Sequence, residues 1–382
     1  MTEPWTDERV ARTVLGRLAS AGAGDDEARG APPGFSVEDR AGLAAWLIGH
    51  DLAGLGFRVA READPPLADL LAGAALGAAA GNLSHFETLS RIEERLAKER
   101  IPFVLLKGAA IAGSAYRESS DRSMSDIDLW VRPEDMPGAV AVARDAGLRQ
   151  VAGLPDRPPE LQRHSGGELV FRHLRRDHGI VELHYSAFQG WWVRRAAEAD
   201  AESLWERSVP MGPGRHARRL SPEDAILHTA FHLVVNQLRQ APLRGLMDLG
   251  VLSRAYRIDW EAVADRARAW RLATAVWTAL ETADRLVGLP GCAPALARLR
   301  PGAPRRAALR GLVPRRALLA GRDVPARVRR HLLMLALVDR PRDVARLVGR
   351  TLWPEPWWLD ARYGRRVSRF GHLFGLMRRG EV

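Results

Sequence analysis

The sequence predicts an α+β protein, in which a small mixed sheet lies between a helical N-terminal lead-in and a mainly helical C-terminal region. Apolar residues recur at helical spacing before residue 100. Short runs typical of strands are confined to the segment that follows, and after Trp191 only helix signals remain. We therefore predict four regions: 1–100 helical, 101–195 an α/β core, 196–290 helical, and 291–382 helical and rich in arginine.

Composition excludes several classes of protein. With 382 residues, 46% of them hydrophobic, the chain can bury a large core and is not mainly disordered. Its single cysteine, Cys292, excludes an internal disulfide framework and a cysteine-rich zinc module. The longest apolar runs, Leu70–Ala80 and Leu332–Val338, fall short of the ~18 residues of a membrane span, and the acidic N-terminus lacks an apolar leader. We expect a cytoplasmic protein without an integral membrane segment.

Positive charge is concentrated at the C-terminal end. The formal net charge is +11, and residues 297–382 alone carry 21 arginines against six acidic residues. The excess fits either solvated helix faces or a surface for an anionic partner, such as nucleic acid, a membrane or an acidic substrate. Within this region a core-packing role is favoured over membrane or partner contact for three tryptophans: Trp353, Trp357 and Trp358.

The helical lead-in is predicted to contain two helices. Residues 1–30 are polar and rich in glycine and alanine, so we expect them to be frayed. Helices are predicted at Ser36–Ala60 and Leu67–Arg100, and Pro102 ends the second one. Apolar residues at a spacing of three to four form one face of that second helix: Phe86, Leu89, Ile92 and Leu96.

Two short segments after Pro102 are predicted to be strands. Phe103–Leu106 is wholly apolar, which is typical of a buried strand. Lys107–Ala110 is predicted to be a turn that leads into a short helix at Ile111–Tyr116. Asp126–Val131 alternates acidic and apolar residues, so one face of this second strand carries the acidic side chains.

A helix and a hairpin complete the predicted core. Pro133 opens a turn, and Met136–Ala146 has the pattern of a helix. Leu169–Leu174 and Ile180–Tyr185 are predicted to pair as a hairpin, with Gly179 available for a positive φ in the connecting turn.

Start and stop signals organise the C-terminal half. Ser221 is followed by a proline and two acidic residues, which predicts the N-cap and first turn of a helix. Proline and glycine between Gly288 and Pro304 predict a loop or linker, and Trp353–Trp358 interrupts the last helical part. Further helices are predicted at Leu243–Ala255, Trp260–Trp270 and Ala273–Val287.

Three acidic residues are candidates for a metal site. Asp126 and Asp128 are two residues apart on one predicted strand, so their side chains point the same way. Buried carboxylates on one face repel each other unless a cation lies between them. Glu182 would join them if its strand lay alongside. Three carboxylates could then hold two divalent ions about 4 Å apart, and Mg²⁺ or Mn²⁺ suits such oxygen ligands.

The turn after the first strand is a candidate phosphate site. Gly108 lets the backbone approach a phosphate, and the following helix offers free N–H groups. Lys107 and Arg122 are nearby cations that could pair with phosphate oxygens. His184 is two residues after Glu182 on the same predicted strand, so its side chain would face the same pocket.

Together these segments resemble the nucleotidyltransferases of the DNA polymerase beta superfamily. The resemblance rests on Phe103–Ala110 and on Arg122–Val131, whose sequence is RSMSDIDLWV. It is similar to a branch described as uncharacterised nucleotidyltransferases, and Val181–Tyr185 resembles the later acidic strand of that branch. The resemblance covers about residues 85–290 and, more loosely, Trp353–Tyr363. The helical continuation of the branch is similar to Leu220–Asp224, His232 and Leu246–Leu249.

The resemblance implies a role for each site residue. Asp126, Asp128 and Glu182 would be the metal ligands. The two aspartates would hold the ion bound to the nucleotide's phosphates, while Glu182 and Asp128 would assist deprotonation of the acceptor hydroxyl. Gly108 and Ala109 would correspond to the turn on the triphosphate, although Lys-Gly-Ala here replaces the usual Gly-Ser. Nucleotide binding is implied for a further set: Lys107, Arg122 and Ser125.

The implied activity is Mg²⁺-dependent nucleotidyl transfer. An acceptor hydroxyl would attack the α-phosphorus of an NTP in line and pyrophosphate would leave, while the protein positions the reactants and neutralises charge. The acceptor would be a small molecule, a sugar, a peptide or a protein. Two alternatives stay open. One is a toxin-like transferase acting on tRNA or other RNA, which the basic C-terminus favours. The other is a catalytically silent partner protein, which the Lys-Gly-Ala departure favours.

Other chemistries have less support in the sequence. His228 and His232 lie four apart on a predicted helix, but a core role is favoured over zinc because no glutamate follows the first histidine, as it does in metalloproteases. The sequence has no Gly-x-Ser-x-Gly elbow, which argues against a serine hydrolase, and no P-loop. The glycine-rich and His-Arg-Asp loops of protein kinases are also absent.

Overall fold

A seven-stranded mixed sheet flanked by helices forms the centre of the protein. The computed structural model describes residues 4–25, 37–151, 161, 167–173, 179–189, 191–236, 238, 242–321 and 327–379. Most of these residues are helical, and the sheet lies between helical N-terminal and C-terminal parts. The predicted α+β class is therefore confirmed.

The sheet combines strands from distant parts of the chain. The strands are β1 Phe103–Leu106, β2 Asp126–Val131, β3 Leu148–Gln150, β4 Glu168–His173, β5 Ile180–His184, β6 Val209–Pro210 and β7 Arg218–Arg219. Their order across the sheet is β3-β4-β5-β2-β1-β7-β6. The predicted strands Phe103–Leu106 and Asp126–Val131 are confirmed with the same bounds.

Strand β2 lies in the middle of the sheet, between β5 and β1. It runs parallel to β5, with Asp128 opposite Glu182. It runs antiparallel to β1, with Leu106, the last residue of β1, opposite Asp128. This register places Asp128 between the end of β1 on one side and Glu182 on the other.

The predicted hairpin pairs as expected. Strands β4 and β5 are antiparallel, with Glu168 opposite His184. The turn predicted at residues 175–178 lies outside the described residues. Gly179 follows it and lies against helical His85, where an added Cβ would collide with Nδ1 of that histidine. Close approach to a neighbouring helix therefore explains the glycine at position 179, and the sequence did not show this contact.

Helices cover the sheet and form most of the remaining structure. In chain order, α1–α9 are Glu8–Gly22, Val37–Gly49, Ala53–Ala63, Pro65–Lys98, Lys107–Ala112, Met136–Asp145, Trp191–Ala196, Ala201–Glu206 and Pro222–Val235. Then α10–α19 are Pro242–Ala255, Trp260–Ala269, Ala273–Leu286, Ala293–Leu299, Ala303–Leu312, Arg315–Leu319, Arg327–Ala336, Pro341–Leu352, Pro356–Tyr363 and Arg369–Arg379.

The expectation that residues 1–30 are frayed is wrong for the part that the structure describes. Asp7 caps α1, because its carboxylate accepts hydrogen bonds from the N–H groups of Arg9 and Val10. Buried Leu15 and Leu18 lie on the face of α1 that packs against α10 and α12. The alanine and glycine residues that looked like loop composition allow this close helix packing.

The helix predicted at Ser36–Ala60 is two helices, α2 and α3. Asp51 lies between them with a φ of +60°. A right-handed helix cannot continue through a left-handed backbone conformation, so the chain turns here.

Helix α4 is long and apolar enough, by length and composition, to cross a membrane. Of its most apolar 18-residue window, 28% is buried in the protein, and Leu70, Leu76 and Leu83 are exposed. Core helices of soluble proteins pass the same test, so this is weak support for a membrane span. The apolar run Leu70–Ala80 lies in this helix but is shorter than a membrane span, and the absence of a membrane segment stays a prediction.

The segment after β1 differs from the prediction of a turn followed by a helix. Helix α5 begins directly at Lys107 and ends at Ala112. Lys107 itself has a φ of +45°, which is uncommon for a residue with a side chain. The change of direction at the end of β1 is thus made by one residue.

The C-terminal half confirms most predicted helices. The hydroxyl of Ser221 accepts a hydrogen bond from the N–H of Asp224 at 3.3 Å and caps α9 as expected. The break before α18 is also found, since α17 ends at Leu352. The loop predicted between Gly288 and Pro304 is wrong in part, because it contains α13, whose Leu299 is buried in the core.

Hydrophobic cores lie on both faces of the sheet. One cluster joins Val104 and Leu106 of β1 with residues of α1, α9, α10 and α12. The other joins Leu105 with residues of α4 and α6. The first cluster runs through the N-terminal, central and C-terminal parts of the chain, and the four-region division stays a prediction.

Arginines of the C-terminal region pair with acidic residues of the preceding regions. Arg298 pairs with Asp265, and Arg310 donates to Glu281 at 3.0 Å. Part of the positive charge is therefore neutralised within the fold. Trp353 and Trp357 are 45% and 46% exposed, so the favoured core-packing role is wrong for both.

Candidate active site

Two predicted carboxylates meet where β2 and β5 run side by side. Asp128 and Glu182 are register partners on these parallel strands, and neighbouring partners point to the same face of the sheet. The side chain of Asp128 is fully buried, whereas that of Glu182 is 16% exposed. The pair therefore forms a carboxylate cluster that is closed on the Asp128 side and opens to solvent at Glu182.

The ammonium group of Lys107 lies between these two carboxylates. Its Nζ donates to Oδ1 of Asp128 at 2.7 Å and lies 3.8 Å from Oε2 of Glu182. The side chain of Lys107 is 15% exposed. It belongs to the first residue of α5, and the left-handed backbone at this position accompanies a side chain that reaches across to β2.

His184 completes the cluster from the end of β5, two residues after Glu182. Its Nε2 lies 2.8 Å from Oδ1 of Asp128 and 3.5 Å from Oε2 of Glu182. Its Nδ1 is in hydrogen-bond contact with the side-chain amide of Gln189. The imidazole is fully buried, so the predicted orientation of His184 toward the pocket is found.

These contacts set the protonation states of the site. Burial opposes the charged form of Lys107, but the carboxylates of Asp128 and Glu182 outweigh it and raise the lysine's pKa. Burial would raise the pKa of Asp128, but Lys107 and His184 outweigh it and hold that pKa below its usual value. Burial and the charge of Asp128 raise the pKa of Glu182 to about 7, against the hydrogen bond from His184.

The histidine is affected by the same charges. Burial and the positive charge of Lys107 oppose protonation of His184, but its contacts with Asp128 and Glu182 outweigh them and raise its pKa to about 9. At neutral pH the cluster therefore contains an ionised Asp128 in contact with two cations, Lys107 and His184.

Asp126 lies on the same face of β2 as Asp128, two residues earlier, and is half-buried. Burial and the neighbouring charge of Asp128 raise its pKa, against the positive charges of Lys107, Arg122 and Arg244. Asp126 is not part of the tight cluster of possible metal ligands, which among the described residues consists of Asp128, Glu182 and His184, with ligand atoms within 4.8 Å of one another. The structure thus brings two of the three predicted carboxylates together and places the third beside them.

Arg122 is buried and paired with Asp248 of α10. Its Nε and Nη2 donate to the two carboxylate oxygens at 2.9 and 2.8 Å. The hydroxyl of Tyr116 donates to the same carboxylate at 3.0 Å. Arg122, which the sequence predicted to contact a phosphate, therefore joins the loop before β2 to the helical part. Its role in nucleotide binding stays a prediction.

The remaining predicted nucleotide-binding residues surround the start of α5. Gly108 is buried, and an added Cβ would meet Nη1 of Arg122 at 2.5 Å, so this position needs a glycine for close packing. Ala109 is also buried. Ser125 is exposed in the loop that enters β2. Contact of these three residues with a triphosphate stays a prediction.

One buried oxygen indicates that the cluster fits a metal ion. Oδ2 of Asp128 is shielded from solvent and has no hydrogen-bond partner among the described residues. An unpaired buried carboxylate oxygen is costly, because it has lost its water without a replacement. The two carboxylates of this cluster suit a divalent ion such as Mg²⁺ or Mn²⁺.

Comparison with known protein families gives an independent result. A family model described as "Uncharacterised nucleotidyltransferase" matches residues 37–288. The chain belongs to this family. Searches of curated proteins and of solved structures found no significant match.

The nucleotidyltransferase match extends further toward the N-terminus than the resemblance seen in the motifs. It begins with α2 and ends just after α12, so it includes α3 and α4 as well as the sheet. The arginine-rich residues 297–382 lie outside it. The family assignment thus applies to the part of the protein that builds the cluster.

Sequence reasoning missed the contribution of α4 to this candidate site. The side-chain amide of Asn82 donates to the carbonyl oxygens of Ser119 and Arg122 at 2.6 and 2.7 Å, and its oxygen accepts from the N–H of Met124 at 3.0 Å. Asn82 thereby shapes the loop that leads into Asp126. An isolated asparagine in an apolar helix is the only signal that could have revealed this role.

Two further residues near the site come from helices. The positive charge of Arg244 in α10 lies close enough to affect the pKa of Asp126. His228 of α9 is buried, and its Nε2 donates to the carbonyl oxygen of Ala187 at 2.9 Å. The burial of His228 and this hydrogen bond agree with the core role preferred from the sequence.

Proposed function

We propose that the protein is a Mg²⁺-dependent nucleotidyltransferase, which transfers an NMP from an NTP to an acceptor hydroxyl with release of pyrophosphate. The family match supports nucleotidyl transfer. The cluster of Asp128, Glu182 and His184 supports use of a divalent ion, with Mn²⁺ as the alternative to Mg²⁺. The use of two ions, which the sequence suggested, stays a prediction.

The observation that carries the proposal is the unpartnered Oδ2 of Asp128. This oxygen is buried on β2, opposite Glu182 and beside the first turn of α5. A fold that served only as a scaffold would gain stability by pairing such an oxygen or by replacing the aspartate with an apolar residue. A bound divalent ion would give the oxygen a partner.

The residues of the cluster and the neighbouring Asp126 then divide the work of the site between them. Asp128, Asp126 and Glu182 would hold the ion, which would neutralise charge on the phosphates. The contacts that Asp128 makes with Lys107 and His184 fix the orientation of its carboxylate. Glu182 has a pKa of about 7 and is open to solvent, so it can accept a proton from an acceptor hydroxyl near neutral pH.

The acceptor is proposed to be a small molecule, a sugar, a peptide or a protein. An RNA acceptor is the second candidate, and one observation favours it. Four arginines line a shallow cavity of about 300 Å³ in the helical part, together with Asp339 and the start of α12. They are Arg268, Arg271, Arg298 and Arg340. Arg298 pairs with Asp265 and Arg271 with Glu198, so attraction of a phosphate backbone or another anionic partner would come mainly from Arg268 and Arg340.

Pyrophosphate release tests the proposal. Wild type and Asp128→Asn would be supplied with Mg²⁺, each of the four NTPs and panels of small-molecule, protein and RNA acceptors. Stabilisation by the ion is worth several kcal/mol, so we expect loss of its buried ligand to slow turnover by about 10³-fold. Undiminished turnover in Asp128→Asn would refute the proposal.

The matched control is Glu134→Gln, which neutralises an exposed acid just after β2. We expect it to retain full activity. If wild type neither releases pyrophosphate nor binds an NTP in the presence of Mg²⁺, as measured by calorimetry, the catalytically silent partner protein would be the better explanation.

We propose the cytoplasm as the compartment in which this reaction takes place. The chain has one cysteine, Cys292, which is buried, so its fold does not depend on an oxidising environment. NTPs and Mg²⁺ are both plentiful in the cytoplasm. Fractionation of cells that express the full chain would test the assignment, and recovery in the membrane fraction would contradict it.

A further inference from the structure

We propose that the ammonium group of Lys107 permanently occupies one of the two cation positions beside Asp128 and Glu182, so that the site takes up a single divalent ion. This inference rests on the proposed function. It departs from the expectation that three carboxylates would hold two ions. The lysine would take the place of one ion as a built-in positive charge.

The position of Nζ carries the first step. It lies 2.7 Å from Oδ1 of Asp128 and 3.8 Å from Oε2 of Glu182, in the space between two carboxylates on adjacent strands. A bridging Mg²⁺ would need to approach both oxygens to about 2.1 Å. It could not do so without bringing two cations into contact, so the ammonium and a bridging ion exclude each other.

The backbone carries the second step. Lys107 is the first residue after β1, whose last residue lies opposite Asp128, and its φ is +45°. A left-handed conformation at a residue with a side chain is unfavourable. The fold tolerates this cost at the one residue whose side chain lies between the two carboxylates. Together with the buried stem, this conformation fixes the ammonium group in place.

The remaining oxygen atoms carry the third step. Oδ1 of Asp128 is engaged by both Lys107 and His184, whereas Oδ2 has no partner among the described residues. Asp126 lies on the same face of β2, and it is half-buried. The oxygen atoms that Lys107 leaves open on Asp126, Asp128 and Glu182 would together hold one divalent ion.

The charges of the cluster agree with a single ion. When ionised, Asp126, Asp128 and Glu182 together carry three negative charges. Lys107 and His184, when protonated, supply two positive charges, so one divalent ion leaves an excess of one positive charge, whereas two divalent ions would leave an excess of three in a largely buried site. Uncompensated charge in such surroundings is strongly unfavourable.

Counting bound ions tests the inference without relying on turnover. Mn²⁺ would be titrated into the full-length protein, and free Mn²⁺ would be measured by electron paramagnetic resonance. We expect wild type to bind one ion per chain at this site and Lys107→Met to bind two, because the variant keeps the length of the side chain but vacates the second position. Two ions in wild type, no ion in wild type, or a single ion in a folded Lys107→Met would each overturn the inference.

The sequence offers a matched control, because the only other lysine is Lys98. Lys98 is 69% exposed on α4 and pairs with Glu94. Lys98→Met should bind one ion, as wild type does. A changed count in this control would show that the stoichiometry responds to charge anywhere on the protein, which would also contradict the inference.

A second measurement uses wild type alone and remains informative if Lys107→Met does not fold. The protein would be acetylated with an amine-reactive reagent, with and without Mn²⁺, and both lysines would be followed by mass spectrometry. We expect Lys98 to react and Lys107 to stay protected in both conditions. If Mn²⁺ made Lys107 as reactive as Lys98, the ion would be displacing the ammonium group and the inference would be wrong.

The outcomes separate this inference from the proposed function. One bound ion without pyrophosphate release would refute the transferase activity and leave the role of Lys107 intact. Two bound ions with normal pyrophosphate release would do the reverse.

Discussion

Asp128 shows how much a single buried residue depends on partners that are distant in the sequence. Its carboxylate contacts Lys107 from the end of β1 and His184 from β5. The alternation of Asp126–Val131 was enough to predict which face carries the acids, because side chains in a strand alternate with a period of two. It was not enough to predict that a lysine would lie between them, since the direction of Lys107 depends on a left-handed backbone.

Arg122 illustrates the limit of local reasoning more sharply. The sequence placed it four residues before Asp126, where a phosphate contact was reasonable. In the structure it pairs with Asp248, 126 residues away. A contact of that separation depends on how α10 packs against the loop before β2, and no local pattern reports it.

We predict that Asp248→Asn destabilises the protein by about 3–5 kcal/mol, because it leaves a buried arginine without a countercharge. Both side chains of the pair are at most 5% exposed. The free energy of unfolding would be measured by urea denaturation. Glu94→Gln, which breaks the exposed pair with Lys98, is the control and should change stability by less than about 1 kcal/mol. A loss of similar size in both variants would contradict a structural role for Arg122.

At the scale of elements, helix α4 organises the site from behind the sheet. Asn82 holds the loop before β2, and His85 packs against Gly179 at the start of β5. The sequence predicted the helix, because its apolar residues recur at the right spacing. The polar residues among them could not be assigned to partners, since those partners belong to segments 37 to more than 90 residues further along the chain.

We predict that Gly179→Ala destabilises the contact between α4 and β5. The new methyl group would collide with the ring of His85, which is 8% exposed, and overpacking of this kind costs about 1–3 kcal/mol. Thermal and urea unfolding would measure the loss. In a His85→Ala background the same substitution should cost clearly less, because the collision is removed.

Gly77→Ala is the matched control for that substitution. Gly77 lies in the middle of α4, and an added Cβ would meet no atom within 4 Å. Alanine is the better helix former by about 1 kcal/mol, so this variant should be at least as stable as wild type. If Gly179→Ala were as harmless as Gly77→Ala, the close approach of α4 to β5 would not hold in solution.

The start of α5 shows why element boundaries were less accurate than element identities. The sequence Lys107–Ala110 suggested a turn, but the helix begins at Lys107. Similarly, α1 was missed because its alanine and glycine residues resemble those of a loop. Its stability comes from the packing of Leu15 and Leu18 against α10 and α12. Tertiary contacts of this kind override local propensity.

For the molecule as a whole, the mixed sheet and the helical flanks followed from the sequence, whereas the distribution of charge did not. Sequence alone showed an excess of arginine after residue 297. The structure shows that Arg310 and Arg315 are paired with Glu281 and Glu8 of the preceding regions. Such pairs depend on how the C-terminal helices fold back, and only the arginines left over remain for an anionic partner.

Buried histidines make the stability of the whole protein sensitive to acid. Burial lowers the pKa of His228 to about 3 from the usual 6.5. The folded form therefore binds fewer protons than the unfolded form between these values. The stabilising contribution is fully present above pH 6.5 and is lost as the pH falls toward 3.

We predict that the free energy of unfolding of wild type falls by about 2 kcal/mol between pH 7 and pH 5, and that His228→Gln does not show this loss. The figure follows from about 1.4 kcal/mol per pH unit for one proton. Glutamine can still donate to the carbonyl oxygen of Ala187. Urea unfolding at several pH values would measure the difference. His331 is half-buried on α16. His331→Gln serves as the control, and its change in unfolding free energy with pH should follow that of wild type. Parallel curves for wild type and His228→Gln would contradict the prediction.

Asn82 has a consequence for how this site can vary between relatives. One amide satisfies two carbonyl groups and one N–H of the loop that precedes Asp126. The path of that loop is thus set in part by a side chain outside it, so exposed positions of the loop such as Ser125, unlike Arg122, can vary as long as the amide is kept. An aspartate at position 82 would place a carboxylate oxygen against the two carbonyl oxygens, with no N–H group to donate. We therefore expect natural variation to avoid this nearly isosteric substitution.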